Sequence, residues 1–283
     1  MTDYTALAAT HYENFPVGSW VLRKRERRHL HRIYAFARTA DDLADELRDA
    51  RALAAFREAL SVHLGEARPP EPTPLLHDLV VTIRECELPE SLFFDLLDAF
   101  ALDLEVTSHD RESLFAYCRK SADPVGRLVL RVFGHDDASL DALSDRICTG
   151  LQLVNHLQDV REDWRERRRV YLPREDLARF SVSVDELGGD STPPGLRAVV
   201  RDWADTTRAM LREGWELPRR LHGRLAVELR AILRGAAAVL GQLHAIDYDV
   251  LATHVRLPRR TKVGVLLGAV FSRRMPAELH GLR

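Results

Sequence analysis

Apolar residues recur at three- and four-residue spacings through nearly the whole chain, and stretches that alternate apolar with polar residues are scarce. A backbone patterned this way closes its hydrogen bonds inside helices, so its core forms between packed helices. The periodicity predicts helices over 26–48, 50–64, 74–86, 89–107, 111–133, 137–167, 196–216, 222–243 and 258–272. Between them lie ARPPEPTP at 67–74, LPE at 88–90, GGDSTPPG at 188–195 and LP at 217–218, all built from residues that interrupt helices. None is long enough for an interdomain linker. The expectation is an all-α fold with one helical domain over 1–283.

Composition narrows the function. Hydrophobic residues make up 46% of the chain, enough for a sizeable core, and the formal net charge of −2 leaves no nucleic-acid footprint. Three cysteines without a CxxC pair fit a reducing cytosol. The stretch MTDYTALAATHYENF has no basic region followed by an apolar core, so no secretory signal is expected. The longest apolar run, Val263 to Phe271, is far below the roughly 20 residues of a membrane span. A cytoplasmic location is therefore expected. Because RRTKVGVLLGAVFSRR at 259–274 sets apolar residues between basic clusters, peripheral contact with the inner face of the membrane competes there with a plain last core helix. There is no GxGxxG and no P-loop, which by itself argues only weakly for the expectation of no nucleotide cofactor.

Two helical segments carry polar stripes. In LQLVNHLQDVREDW at 151–164, Gln152, Asn155, Asp159 and Asp163 share one face. In RIYAFARTADDLADELR at 32–48, Tyr34, Arg38, Asp41 and Asp45 do the same, beside Asp42 and Glu46. On a wet surface, like charges four residues apart cost only about 0.2–0.5 kcal/mol per pair. In a semi-enclosed site, carboxylates about 6 Å apart repel by roughly 3 kcal/mol at an effective dielectric of 20. Such a cluster must meet cations or take up protons. Two acidic helices brought face to face would offer hard oxygen donors suited to Mg²⁺, which also bridges to substrate phosphates. Neither helix has a His pair at ligand spacing, so zinc fits poorly. A solvated acidic face is the competing reading, but it gives no reason to align amides with carboxylates.

The segments HYENFPV at 11–17, IYAFARTADDLADE at 33–46, YCRKSADPVGRLVLRVFG at 117–134, GLQLVNHLQDVRED at 150–163 and RVYLP at 169–173 follow one another in an order that resembles the squalene/phytoene synthase family of head-to-head prenyl synthases. The C-terminal third matches loosely, through IDYDVL at 246–251 and the basic segment after it. Within the family the pattern is most similar to the hydroxysqualene synthase branch of bacterial hopanoid biosynthesis. The resemblance implies an isoprenoid-synthase-type helical bundle with a central active-site cavity. It also implies Mg²⁺-dependent ionisation of presqualene diphosphate, followed by rearrangement and water capture to give hydroxysqualene. One alternative is head-to-head condensation of two prenyl diphosphates. A second is a non-catalytic helical assembly or binding factor. The chain departs from the branch at His156, where an aromatic is expected after Asn155, and at Arg168–Arg169, where a Gly-Arg pair is expected. It also departs at His31–Arg32, where small residues are usual, and at Arg23, where Pro is usual.

Carried onto this sequence, the resemblance assigns several Mg²⁺ ions to Asp41, Asp45, Asp159 and Asp163, with Asn155 assisting. Arg38 would clamp diphosphate oxygens, helped by His11, Arg256 and Lys262. Tyr34, Tyr117 and Tyr171 would orient the diphosphate or stabilise cations through their ring faces, and Gln152 would hold the quenching water. Arg38 as a local ion-pair partner of Asp41 and Asp42, and the tyrosines as core residues, are the competing readings. His156 points off the stripe and reads as structural. A presqualene diphosphate synthase is the expected partner enzyme.

Overall fold

A computed structural model describes residues 22–65 and 73–280; HYENFPV, and with it His11, lies outside them. The main helices are α1 (Lys24–Asp45), α2 (Ala50–Leu64), α3 (Pro74–Glu85), α4 (Glu90–Glu105), α5 (Arg111–Ser121), α6 (Asp123–Val132), α7 (Ala138–Gln158), α8 (Arg174–Arg179), α9 (Pro194–Gly214), α10 (Gly223–Ala245) and α11 (Arg259–Phe271). The fold is all-α, and the described residues contain no strand beyond an isolated bridge between Ser108 and Val170. No helix among them is long and apolar enough to cross a membrane. Cys86, Cys118 and Cys148 are not joined in disulfides.

The chain divides into two compact units, 1–105 with 120–141, and 106–119 with 142–283. In the first, α1 packs against α2, α3, α4 and α6. Phe36 is fully buried at its centre, stacked on Phe56 at 5.4 Å and edge-on to Phe93 at 5.5 Å. Asp49 starts α2 by accepting from the backbone N–H groups of Arg51 and Ala52 at 3.0 and 2.9 Å. Arg32, one of the departures from the family pattern, is buried and pairs with Asp78 of α3 at 3.0 Å. Its guanidinium also donates to Thr82 at 3.3 Å. A large cation therefore stands where small residues are usual because α3 supplies its counter-charge.

In the second unit, α7 and α9 approach closely. A Cβ on Gly150 would sit 2.6 Å from Leu211 Cδ2, and one on Gly214 would sit 2.5 Å from Ile147 Cγ1. Asp176 of α8 ties three segments together. It accepts from Arg111 Nε and Nη2 at 2.9 and 2.5 Å and from Trp203 Nε1 of α9 at 2.9 Å. Burial opposes its ionisation, but these hydrogen bonds and the guanidinium charge outweigh burial and hold its carboxyl below the usual range.

Two predicted helices differ in detail. The helix expected over 111–133 is two, α5 and α6, divided at Ala122. Pro124 lacks an N–H and is placed in the first turn of α6, where that donor has no helical partner. The helix expected over 137–167 stops at Gln158, followed by a short turn at Val160–Glu162 and a π-helical turn at Asp163–Arg167. Beyond it, α8 forms where no helix is predicted, with Pro173 as its N-cap at φ −59°. The π turn closes on Arg168, whose φ of 55° is left-handed. That backbone explains why a glycine is usual there. Here the Arg168 guanidinium lies over the Trp164 ring at 5.0 Å.

Candidate active site

The first acidic stripe ends α1. Arg38 sits inside it. Its Nη1 lies 2.9 Å from Asp41 Oδ2, and its Nη2 lies 2.6 Å from Asp42 Oδ1 and 2.7 Å from Glu46 Oε1. One guanidinium thus serves three carboxylates, and Asp45 adds a fourth acid one turn beyond Asp41. These carboxylates are hard oxygen donors of the kind that hold a divalent cation. Tyr34 is part-buried four residues before Arg38. Burial, with Asp41 and Asp42, raises its phenol above the ordinary value against the pull of Arg38, so it remains a protonated donor.

The second stripe is at the end of α7. The helix breaks after Gln158, yet Asp159 N–H still donates to Asn155 O at 2.9 Å and Asp163 N–H to Asp159 O at 2.8 Å. Those bonds keep Asn155, Asp159 and Asp163 at helical spacing through the break. The segment after IDYDVL is pinned alongside. Gln158 Nε2 donates to Val255 O at 2.6 Å, and Arg161 Nη1 donates to Leu251 O at 2.7 Å. His254 Nδ1 lies 3.1 Å from Glu162 Oε1. Asp159, Glu162 and His254 thereby offer ligand atoms that all lie within 4.8 Å of one another. Arg256, two residues on from His254, is carried to the same region, whereas Lys262 stands exposed on the first turns of α11.

Tyr117 and Tyr171 come together in a buried aromatic cluster with His109 and His156. The rings of His156 and Tyr171 stack at 3.7 Å, those of His109 and Tyr171 at 5.8 Å, and those of Tyr117 and Tyr171 lie 5.9 Å apart. Burial chiefly, with His109 nearby, pushes His156 down to about 3, and burial likewise lowers His109. Both are neutral rings at ordinary pH. His156 therefore supplies a flat stacking surface at the position where an aromatic is expected. Tyr171, His156 and Asp163 also line one small cavity of about 10 Å³ with Arg169.

The sequence-predicted residues thus fall into two sets. Tyr34, Arg38, Asp41 and Asp45 lie on α1 of the first unit; Tyr117, Gln152, Asn155, Asp159, Asp163, Tyr171, Arg256 and Lys262 belong to the second. Gln152 and Asn155 are part-buried on α7. Sequence reasoning passed over Glu162 and His254. Glu162 was visible as a third acid in DVRED, but His254 stands 92 positions away and no local pattern links them. The donor set is dominated by carboxylate oxygens and fits Mg²⁺. Among the described residues, the ring nitrogen in this cluster, His254 Nδ1, lies 3.1 Å from Glu162 Oε1 and orients that acid.

A family model described as squalene/phytoene synthase matches residues 8–261. A hydroxysqualene synthase of Rhodopseudomonas palustris is 36% identical over 241 residues, covering 83% of this chain and 80% of that protein. A presqualene diphosphate synthase of Zymomonas mobilis is 33% identical over 199 residues, covering 68% of this chain and 66% of that one. Among solved structures, a squalene synthase from Alicyclobacillus acidocaldarius superposes with a TM-score of 0.79 at 38% identity, over 87% of this chain and 93% of that chain.

Proposed function

The chain belongs to the squalene/phytoene synthase family, and from that premise we propose that it converts presqualene diphosphate and water into hydroxysqualene and diphosphate for hopanoid-type biosynthesis. The observation that carries this reading is the 36% identity to a hydroxysqualene synthase across 83% of the chain, in a protein that has both D-x-x-x-D segments.

In the reaction, the carbon–oxygen bond of the ester breaks and its electron pair leaves with diphosphate. The cyclopropylcarbinyl cation rearranges, a water oxygen bonds to the resulting carbocation, and that water loses a proton. Mg²⁺, when bound, supplies charge neutralisation on the departing oxygens. Asp41, Asp45, Asp159 and Asp163 are its proposed ligands. Asn155 adds a neutral oxygen donor beside Asp159. Arg38 holds the acids of α1 in place and presents its guanidinium to diphosphate, with Arg256 and Lys262 as further cations. Tyr34 stays protonated and donates a hydrogen bond. Tyr117 and Tyr171 offer ring faces to a cation, and the neutral His156 stacked on Tyr171 stiffens that ring without adding positive charge. Gln152 holds the water. The protein that supplies the substrate is of the presqualene diphosphate synthase type, and the proposed location is the cytoplasm.

The test is product analysis with Mg²⁺ and either presqualene diphosphate or farnesyl diphosphate, each with and without NADPH. Hydroxysqualene from presqualene diphosphate, unchanged by NADPH, is expected. The 33% identity to a presqualene diphosphate synthase favours a second reading, condensation of two prenyl diphosphates; product formed from farnesyl diphosphate alone would establish it and remove the first.

A further inference from the structure

Helix α11 packs on α10 through Ala269, which is fully buried, and Gly268, where a Cβ would come within 3.3 Å of the Arg234 guanidinium. At about 100° per residue, Val263, Leu266, Leu267, Val270 and Phe271 fall on the opposite side of the helix. All five are exposed, Phe271 at 83%. An apolar stripe of this kind on an otherwise charged protein marks a surface that meets something apolar.

Beside the C-terminal end of the stripe lies a cavity of about 960 Å³, with Val270 in its wall. Arg219, Arg230, Arg273, Arg274, His222 and His280 line it. Its charge is one-sided. Glu216 is engaged by Arg219 at 3.2 Å and Arg220 at 3.9 Å, and Glu278 acts on Arg234. Arg230 is only 8% exposed, donates Nε to Ala269 O at 2.8 Å, and has the like charges of Arg273 and Arg234 around it. A guanidinium does not relieve such crowding by shedding its proton, so an anion is the natural counterpart. Phosphate oxygens match its paired N–H donors.

We propose that the exposed face of α11 and the adjoining arginine cavity form a docking site for an anionic phospholipid bilayer, with the apolar stripe among the acyl chains and a lipid phosphate in the cavity. The charge complementarity of cavity and headgroup selects this occupant over a neutral surface. The inference stands independently of the reaction proposed above, since none of these residues is assigned to it.

The test is co-sedimentation of the whole protein with vesicles of phosphatidylglycerol and phosphatidylcholine in equal parts, and with phosphatidylcholine alone. Binding to the anionic vesicles is expected to exceed binding to the neutral ones at least tenfold, and to weaken when salt is raised from 0.1 to about 0.5 M. Leu267→Glu/Phe271→Glu and, separately, Arg273→Glu/Arg274→Glu should each lower recovery about tenfold while thermal unfolding stays unchanged, because all four positions are exposed. Equal recovery on both vesicle types, or equal recovery of wild type and both variants, would overturn the proposal. So would light scattering that shows a dimer dissociated by Leu267→Glu/Phe271→Glu with no lipid binding in either form, since the stripe would then cover a second copy of the chain.

Discussion

At the scale of single residues, charge balance is the recurring theme. Asp159, Glu162 and His254 offer ligand atoms that lie within 4.8 Å of one another. Asp159→Asn removes a proposed cation ligand and takes one carboxylate charge away from beside Glu162. Turnover should fall about 10²–10³-fold, while the melting temperature holds or rises; unfolding on that change would make the residue structural. Arg168 shows a different kind of constraint. Its left-handed backbone costs about 1–2 kcal/mol relative to glycine, partly offset by its stacking on Trp164. Both Arg168→Gly and Arg168→Ala lose the stacking, but only glycine also loses the strain. In urea denaturation the glycine variant should therefore be the more stable of the two by about 1 kcal/mol.

At the scale of elements, close helix contact and one buried carboxylate do much of the positioning. Gly214 lets α9 approach Ile147 of α7, the helix that carries Gln152, Asn155 and the run into Asp159. Gly214→Ala should destabilise the protein by about 1–3 kcal/mol through overpacking, read from the shift in denaturation midpoint. Asp176 joins α8, α9 and the start of α5. Its folded carboxyl lies below the unfolded value of 3.8. The stability it contributes is therefore complete above about pH 4 and is lost as pH falls through the lower folded value. Asp176→Asn should cost about 2 kcal/mol at pH 7 and flatten the acid limb of a stability–pH curve. An unchanged acid limb would show that Asp176 carries no such linkage.

For the whole molecule, cation and diphosphate binding should be coupled to folding. Mg²⁺ together with inorganic diphosphate is expected to raise the melting temperature more than either alone, with a gain of about 2.7 kcal/mol once ligand reaches 100 times its dissociation constant. A non-catalytic scaffold would show no such linkage, and thermal scans with each addition separate the two outcomes. Much of this protein was legible in its sequence. Helical spacing determined the all-α fold and most helix limits, because periodic burial of one helix face is a local property of the chain. The acidic stripes and the run of family segments pointed to the same residues for the same reason: each stripe's members lie within about three turns of one helix. Tertiary structure decided the rest. The break at Asp159, the burial of Arg32 against Asp78 and the stacking of His156 on Tyr171 depend on packing partners that local spacing does not specify. The meeting of His254 with Glu162 across 92 positions is the plainest case. Periodicity tells which face of a helix is buried; only the folded chain decides what that face is buried against.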